Sequence, residues 1–379
     1  MIKTVGNWIA GGVVVLCVLA GVRAAGAEEK PPEVAAIADV IAIDGGEAHT
    51  IALKKDGTVW TCGARLLGDG TTGEHPTFVQ LKPLGNVAAI SSGKAHGVAL
   101  KSDGSVWTWG FNANGELGNG TKGNPSTPVQ VKDLVDVTAI SGGSAFTLAL
   151  KKDGTVWAWG YNATGQLGDG TNDSTTVAVQ VKDFSDATAI AAGGSHSLAI
   201  KKDGSVWAWG LNVKGELGDG GNEKRLIPVK VKELGEITAI AAGENRSLAL
   251  KKDGTVWAWG ICELEDGSAE NRSTPAQVKG LKDVAAIAVG QAHFLALVKD
   301  GSVWAWGSNK VGELGDGTKD ARPAPVQVKD LKDVSAIGAG DSHSLTLKKD
   351  GAVFAWGWNS QGQLGDGTME NRWTAVQAK

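Results

Sequence analysis

The stretch Lys151-Lys152-Asp153-Gly154-Thr155-Val156-Trp157-Ala158-Trp159-Gly160 decides the fold, because the chain keeps repeating it. Close copies begin at Lys54, Lys101, Lys201, Lys251, Val298 and Lys348, so successive copies are 47, 50, 50, 50, 47 and 50 residues apart. Self-similarity at a fixed spacing of this size marks a repeat architecture, and seven such units account for residues 28–379. Within a unit, Leu148-Ala149-Leu150 and Val156-Trp157-Ala158-Trp159 alternate large and small residues, the period of strands packed on both faces. Asp-Gly between two such runs predicts a hairpin with a type I′ turn, whose two central residues take positive φ. Each unit reads as four short strands; in the third they are 137–140, 146–151, 155–160 and 177–182. No segment holds a helical period beyond one turn. Four-stranded units repeated in this way bury their faces best when arranged radially, so the expected fold is all-β, a seven-bladed β-propeller. The closing strand is open at this stage. Val34 matches the valine of the Pro-Val-Gln-Val segments, so the N-terminus is a candidate to add an outer strand beside 375–378, and either terminus could supply the closure.

Composition follows from the repeat. Gly is 55 of 379 residues, about twice the usual share. Of the 15 Trp, set against 6 Phe and 1 Tyr, 12 fall at two alternate positions of the repeat, suited to the flat surface between adjacent blades. A net charge of −4 leaves no electrostatic footprint for nucleic acid. The 3 Cys cannot build a disulfide framework, and Cys62 and Cys262, in units one and five, are expected as separate thiols.

The first residues read as an export signal. Lys3 precedes a 14-residue apolar run from Ile9 to Val22, short for a membrane span, and Ala25-Gly26-Ala27 offers a cleavage site. Cleavage after Ala27 would remove two cations and no acid, taking the net charge from −4 to −6. The expected product is residues 28–379, a single secreted or periplasmic domain with no membrane span. Retention of the segment as an anchor is the alternative.

Unit four reads Gly193-Gly194-Ser195-His196-Ser197-Leu198-Ala199, then Asp203-Gly204, Trp209-Gly210-Leu211-Asn212 and Gly215-Glu216-Leu217-Gly218. This resembles the repeat of the regulator of chromosome condensation family, and the likeness covers all of residues 28–379. Kelch and WD repeats fit less well in motif or spacing. The resemblance implies a seven-bladed propeller but not a function, since the fold is a scaffold for grafted sites. Nuclear members that act on a small GTPase are poor guides to a chain with an export signal and no basic tail. Light-sensing relatives carry a Gly-Trp-Arg-His-Thr segment that is absent here. Secreted bacterial relatives that inhibit β-lactamases match the compartment, and they imply a rigid protein-binding ring without catalysis.

Chemistry is sparse. Five of the 6 His, namely His49, His96, His196, His293 and His343, occupy one repeat position, filled elsewhere by Phe146 and Arg246. A slot that accepts His, Phe or Arg reads as structural, and the spacing of a seven-fold ring is too wide for shared metal ligation. The Leu-Gly-Asp-Gly-Thr runs lack the alternating acids of a calcium loop, and their Asp is expected to cap its own turn. No nucleophile–base pairing or phosphate loop is present, so no enzyme, metal or cofactor is expected.

In so regular a chain, a partner can recognise only the positions that vary. The Gly-x-x-His loop carries Glu47, Lys94, Ser144, Gly194, Glu244, Gln291 and Asp341; the residue after Trp-Gly is Phe111, Tyr161, Leu211, Ile261, Ser308 or Trp358. A third set holds Arg225, Arg272, Arg322, Arg372 and Trp373. The candidate partner-binding residues are Phe111, Tyr161, Leu211, Trp358, Glu47, Lys94, Glu244 and Asp341, since aromatic and large apolar residues on rim turns make interface hot spots. The expected function is a monomeric, secreted, non-catalytic propeller that binds a protein, with inhibition as one form of that binding. The alternative is a structural envelope propeller with no discrete site.

Overall fold

The computed structural model describes residues 35–64, 66–263 and 269–379. They form seven four-stranded antiparallel sheets and no helix. In the first sheet β1 (Val40–Gly45), β2 (His49–Lys54), β3 (Val59–Gly63) and β4 (His75–Gln80) pair in sequence order from the axis outward. The other six sheets repeat this order, so every blade is one continuous piece of chain. The outer strand of blade seven, Arg372–Gln377, comes from the C-terminal side, while Val34 lies outside the described residues. Blade seven meets blade one through Phe78 N–H to Lys379 O at 2.9 Å and Gly367 N–H to Pro76 O at 2.8 Å. No strand crosses that seam among the described residues.

The Asp-Gly hairpins differ from the type I′ expectation. Gly57 has φ 78° and its six counterparts are also positive, but Asp56 and its counterparts are not. Gly57 N–H bonds Lys54 O at 2.9 Å and Lys54 N–H bonds Thr58 O at 2.9 Å, a type I turn completed by a left-handed glycine. The reason is the aspartate side chain. Its Oδ1 accepts Thr58 N–H at 3.0 Å and Thr58 Oγ1–H at 2.6 Å, a local turn that keeps Asp56 out of the left-handed region.

The blade cores consist of interdigitated apolar residues from neighbouring sheets. Trp209 of blade four, for example, is buried among Phe146, Leu148, Val156 and Leu167 of blade three. The seams carry polar fasteners as well. Glu116, Gln166, Glu216 and Glu313 each present a backbone carbonyl to the next blade. The indole N–H of Trp159, Trp209, Trp259 or Trp356 donates to it at 2.7–2.9 Å. A hydroxyl of that same blade donates to the same carbonyl, as Ser247 does to Glu216 O at 2.9 Å.

The repeated histidines complete this relay. His96, His196, His293 and His343 reach Thr147, Ser247, Ser344 and Thr50 of the following blade, with Nε2–hydroxyl distances of 2.9–3.0 Å. Each hydroxyl hydrogen goes to a carbonyl, so the histidine must donate from Nε2, and burial keeps it neutral at pH 7. Burial pushes His196 down to about 4 and His96, His293 and His343 to about 3. The two short blades break the pattern. After blade one, the hydroxyl position holds Gly97, where a Cβ would stand 2.3 Å from the Trp109 ring. After blade five it holds Phe294, stacked on Trp306 at 5.1 Å, with the Arg246 guanidinium 5.8 Å from the Phe294 ring centre.

Candidate functional site

Two kinds of loop share one face of the disc: the Gly-x-x-His turn between the first and second strands, and the long loop between the third and fourth. They are tied together by hydrogen bonds from the position after Trp-Gly. The N–H groups of Phe111, Tyr161, Leu211 and Trp358 bond the carbonyls of Ala95, Ala145, Ser195 and Ser342, each at 2.8 Å. The two variable sets that sequence reading singled out are therefore adjacent, one around the axis and one just outside it.

The long loops are rigid for an identifiable reason. In blade four, Asn212 is fully buried, donates from Nδ2 to Gly221 O at 3.1 Å and accepts Leu217 N–H at 3.0 Å. Asn112, Asn162, Asn309 and Asn359 occupy the same slot in their blades, also fully buried. The loop aspartates cap their own turns: Asp316 Oδ1 accepts Thr318 N–H at 2.9 Å. Arg225, Arg322 and Arg372 then close onto Asp219, Asp316 and Asp366 at 2.7–2.9 Å. That third set of variable residues braces loops. Trp373 lies beneath the Lys319 ammonium, 4.5 Å from its ring centre.

On this frame Phe111 is 41% and Tyr161 36% exposed, while Leu211 and Trp358 are half-buried. Val213, 55% exposed, continues the arc and was not singled out from sequence. The signal was there: the position after the loop asparagine is Ala113, Ala163, Lys310 or Ser360 in other blades and a larger aliphatic only in blade four.

Around the axis, Glu47, Lys94, Glu244 and Asp341 form a half-buried charged mouth. Lys94 of blade two reaches past blade one to Asp341 of blade seven at 3.4 Å. Burial disfavours the Lys94 ammonium, but Asp341, Glu244 and Glu47 together hold its pKa above the ordinary value. Burial, with Glu47 and Glu244 beside it, raises the Asp341 carboxyl despite Lys94. Trp358 joins Glu47, Lys94, Gln291 and Asp341 in a hollow of about 250 Å³, where the aromatic and charged sets share a surface. Among the described residues no three His, Cys, Asp or Glu side chains gather as metal ligands, and no helix is long and apolar enough to cross a membrane.

No curated protein matches the sequence. Among solved structures the chain is similar to Prp20p from Saccharomyces cerevisiae, described with its binding to Gsp1p and histones. The identity is 24%, 87% of each chain is covered and the TM-score is 0.77. Human WBSCR16 is similar at 24% identity over 80% of this chain and 85% of its own, with a TM-score of 0.72. At such identities the likeness concerns the fold. The sequence itself matches the RCC1-like domain over residues 17–282 and regulator of chromosome condensation (RCC1) repeats over 284–313, 300–347 and 334–363. With more than half its length matched, and with seven four-stranded blades, the chain belongs to the RCC1-like domain family.

Proposed function

We propose that this chain is an exported, non-catalytic propeller that holds a protein partner against its loop face. One observation carries the reading. Phe111, Tyr161, Leu211 and Val213 stand in an arc over blades two to four, beside the charged mouth and on loops pinned by buried asparagines. Large apolar side chains held on rigid turns lose little entropy on docking and supply hot-spot contacts. The acidic majority at the mouth favours a partner with basic residues opposite it. Export is supported by the N-terminal sequence pattern, and inhibition is the form binding takes if the partner is an enzyme whose cleft the face covers. Yeast Prp20p, similar in fold, is described as binding Gsp1p and histones, which agrees in kind with this reading.

The test immobilises the purified protein against secreted and envelope extracts, beside a Phe111→Ala/Tyr161→Ala/Trp358→Ala variant. A saturable partner retained by the native protein and lost by the variant supports the proposal. Equal retention moves the site to the mouth residues or the arginine-bearing loops. Retention by neither favours a structural envelope propeller.

A further inference from the structure

We infer that the axial channel is a binding site for a small organic cation, a protonated amine with a short apolar body, with Asp44 as its counter-charge. The channel encloses about 300 Å³ between the seven inner strands, at the small end of the roughly 300–1,000 Å³ typical of ligand pockets. One ring of equivalent positions decides its chemistry: Asp44, Ser91, Ser141, Ala191, Ala241, Ala288 and Gly338, which face Ile51, Val98, Leu148, Leu198, Leu248, Leu295 and Leu345 in register. One wall is thus polar and holds a single carboxylate, and the opposite wall is methyl and glycine.

Asp44 makes no ion pair among the described residues. Its contacts are neutral donors: Gly45 N–H at 2.9 Å, Ser92 N–H at 2.8 Å and Ser91 Oγ–H at 3.3 Å. Part of its surface remains open to the channel, although it lies deep within the disc. Ser92 lines the same channel, and its buried Oγ has no hydrogen-bond partner. A carboxylate so placed favours a cation, since neutral donors offset burial of the charge only in part. The oxygen supply distinguishes an amine from a metal ion. Ser91 and Ser141 Oγ already accept Gly142 and Ala192 N–H at 3.1 and 3.0 Å, and among the described residues no three His, Cys, Asp or Glu gather here, which favours an ammonium over a hard cation that takes six or more oxygens. An ammonium needs only the carboxylate and one or two further acceptors, and its alkyl part meets Ala191, Ala241 and Ala288.

The experiment titrates the full protein at pH 7.5 with n-butylammonium chloride, with n-butanol as the neutral isostere and with sodium chloride at matched ionic strength, read by calorimetry. Saturable one-to-one binding of butylammonium is expected, with butanol at least about tenfold weaker and sodium chloride silent. Asp44→Asn keeps an acceptor for Ser92 N–H and should weaken the amine at least about tenfold. The carboxyl resonance of Asp44 provides a second readout on the unmodified protein, since its titration midpoint must fall when the amine is bound. The charged and titratable groups around this end of the channel are His49 beside Gly46, His343 beside Gly45, His96 beside Gly93, and Glu47, Lys94, Glu244 and Asp341 at the mouth. An unmoved Asp44 midpoint, equal affinity for butanol, or equal affinity in Asp44→Asn would each overturn the inference, as would the absence of saturation at about 50 mM amine. A sodium chloride response equal to that of the amine would overturn it in favour of an inorganic ion.

Discussion

Replacing His196 by phenylalanine should leave the protein unchanged at neutral pH and make it more resistant to acid. Phenylalanine already fills this slot in blade three, where Phe146 is fully buried and the Ser197 hydroxyl still bonds Gln166 O at 2.8 Å. In blade four the substitution removes the bond to Ser247 and also the buried His196 Nδ1, which has no partner. Ser247 keeps its bond to Glu216 O, so no donor is stranded, and the net effect at pH 7.5 is within about 1 kcal/mol. Acid behaves differently. The folded pKa of about 4 lies below the free value of 6.5, so this histidine costs nothing above pH 6.5. As pH falls from 6.5 toward 4, the unfolded chain takes up a proton that the folded one refuses, and stability drops. The linkage integral gives about 2 kcal/mol lost at pH 5 for this one residue. Urea denaturation followed by tryptophan fluorescence at pH 7.5 and 5.0 measures both quantities. The variant should lose about 2 kcal/mol less than the native protein between the two pH values. Equal losses would refute the neutral-histidine relay, and so would a destabilisation of 2 kcal/mol or more at pH 7.5.

Three further outcomes follow from the same structure. Asp44→Asn should stabilise the protein by on the order of 1–3 kcal/mol at pH 8: burial raises this carboxyl to about 6, so keeping it ionised costs stability that returns as pH falls from 6 toward 3.8, and the variant's advantage should vanish near pH 4 in the same denaturation assay. Gly97→Ala should cost about 1–3 kcal/mol, because its Cβ would meet the Trp109 ring at 2.3 Å; a melting curve unchanged from the native one would contradict the packing described. The Phe111→Ala/Tyr161→Ala/Trp358→Ala variant should change unfolding free energy by no more than about 1 kcal/mol per site, since the first two side chains are exposed and Trp358 is half-buried, so a loss of partner binding could not be blamed on unfolding.

Sequence reading reached the fold because a repeat multiplies a weak signal. One Asp-Gly turn between alternating runs is ambiguous, whereas seven in step are not. It placed four strands per blade and treated the histidine slot as structural, but it assigned the wrong turn type. Turn type depends on whether Asp56 bonds its own backbone or adopts positive φ, and Asp-Gly is compatible with both. The relay was half legible. His, Phe and Arg alternate visibly at one position, but three partner hydroxyls lie 51 residues downstream in the next blade, as from His196 to Ser247, and the fourth, Thr50, lies 293 residues before His343, so only the ring brings them together. For the candidate face, the variable positions were readable while their exposure was not. Phe111 and Leu211 are equivalent in sequence, yet one is exposed and the other half-buried. Asp44 escaped notice because a single acid at the end of a strand carries no pattern.

The two interrupted seams give the ring a grain. Where blade one meets blade two and blade five meets blade six, the hydroxyl of the relay is replaced by Gly97 and Phe294, and among the described residues Trp109 and Trp306 make none of the carbonyl bonds their counterparts make. These two seams separate an arc of blades two to five from an arc of blades six, seven and one, and the second of them is bridged instead by Arg246 Nη1–H to Gln291 O at 2.9 Å. Phe111, Tyr161 and Leu211 ride on the first arc, while Trp358 and Asp341 ride on the second, and the Lys94–Asp341 bridge spans from one to the other. If these seams open before the others, the face behaves as two rigid plates with a latch between them. A partner touching both plates would tighten the whole disc, and one touching only the aromatic arc would leave the other plate free to breathe.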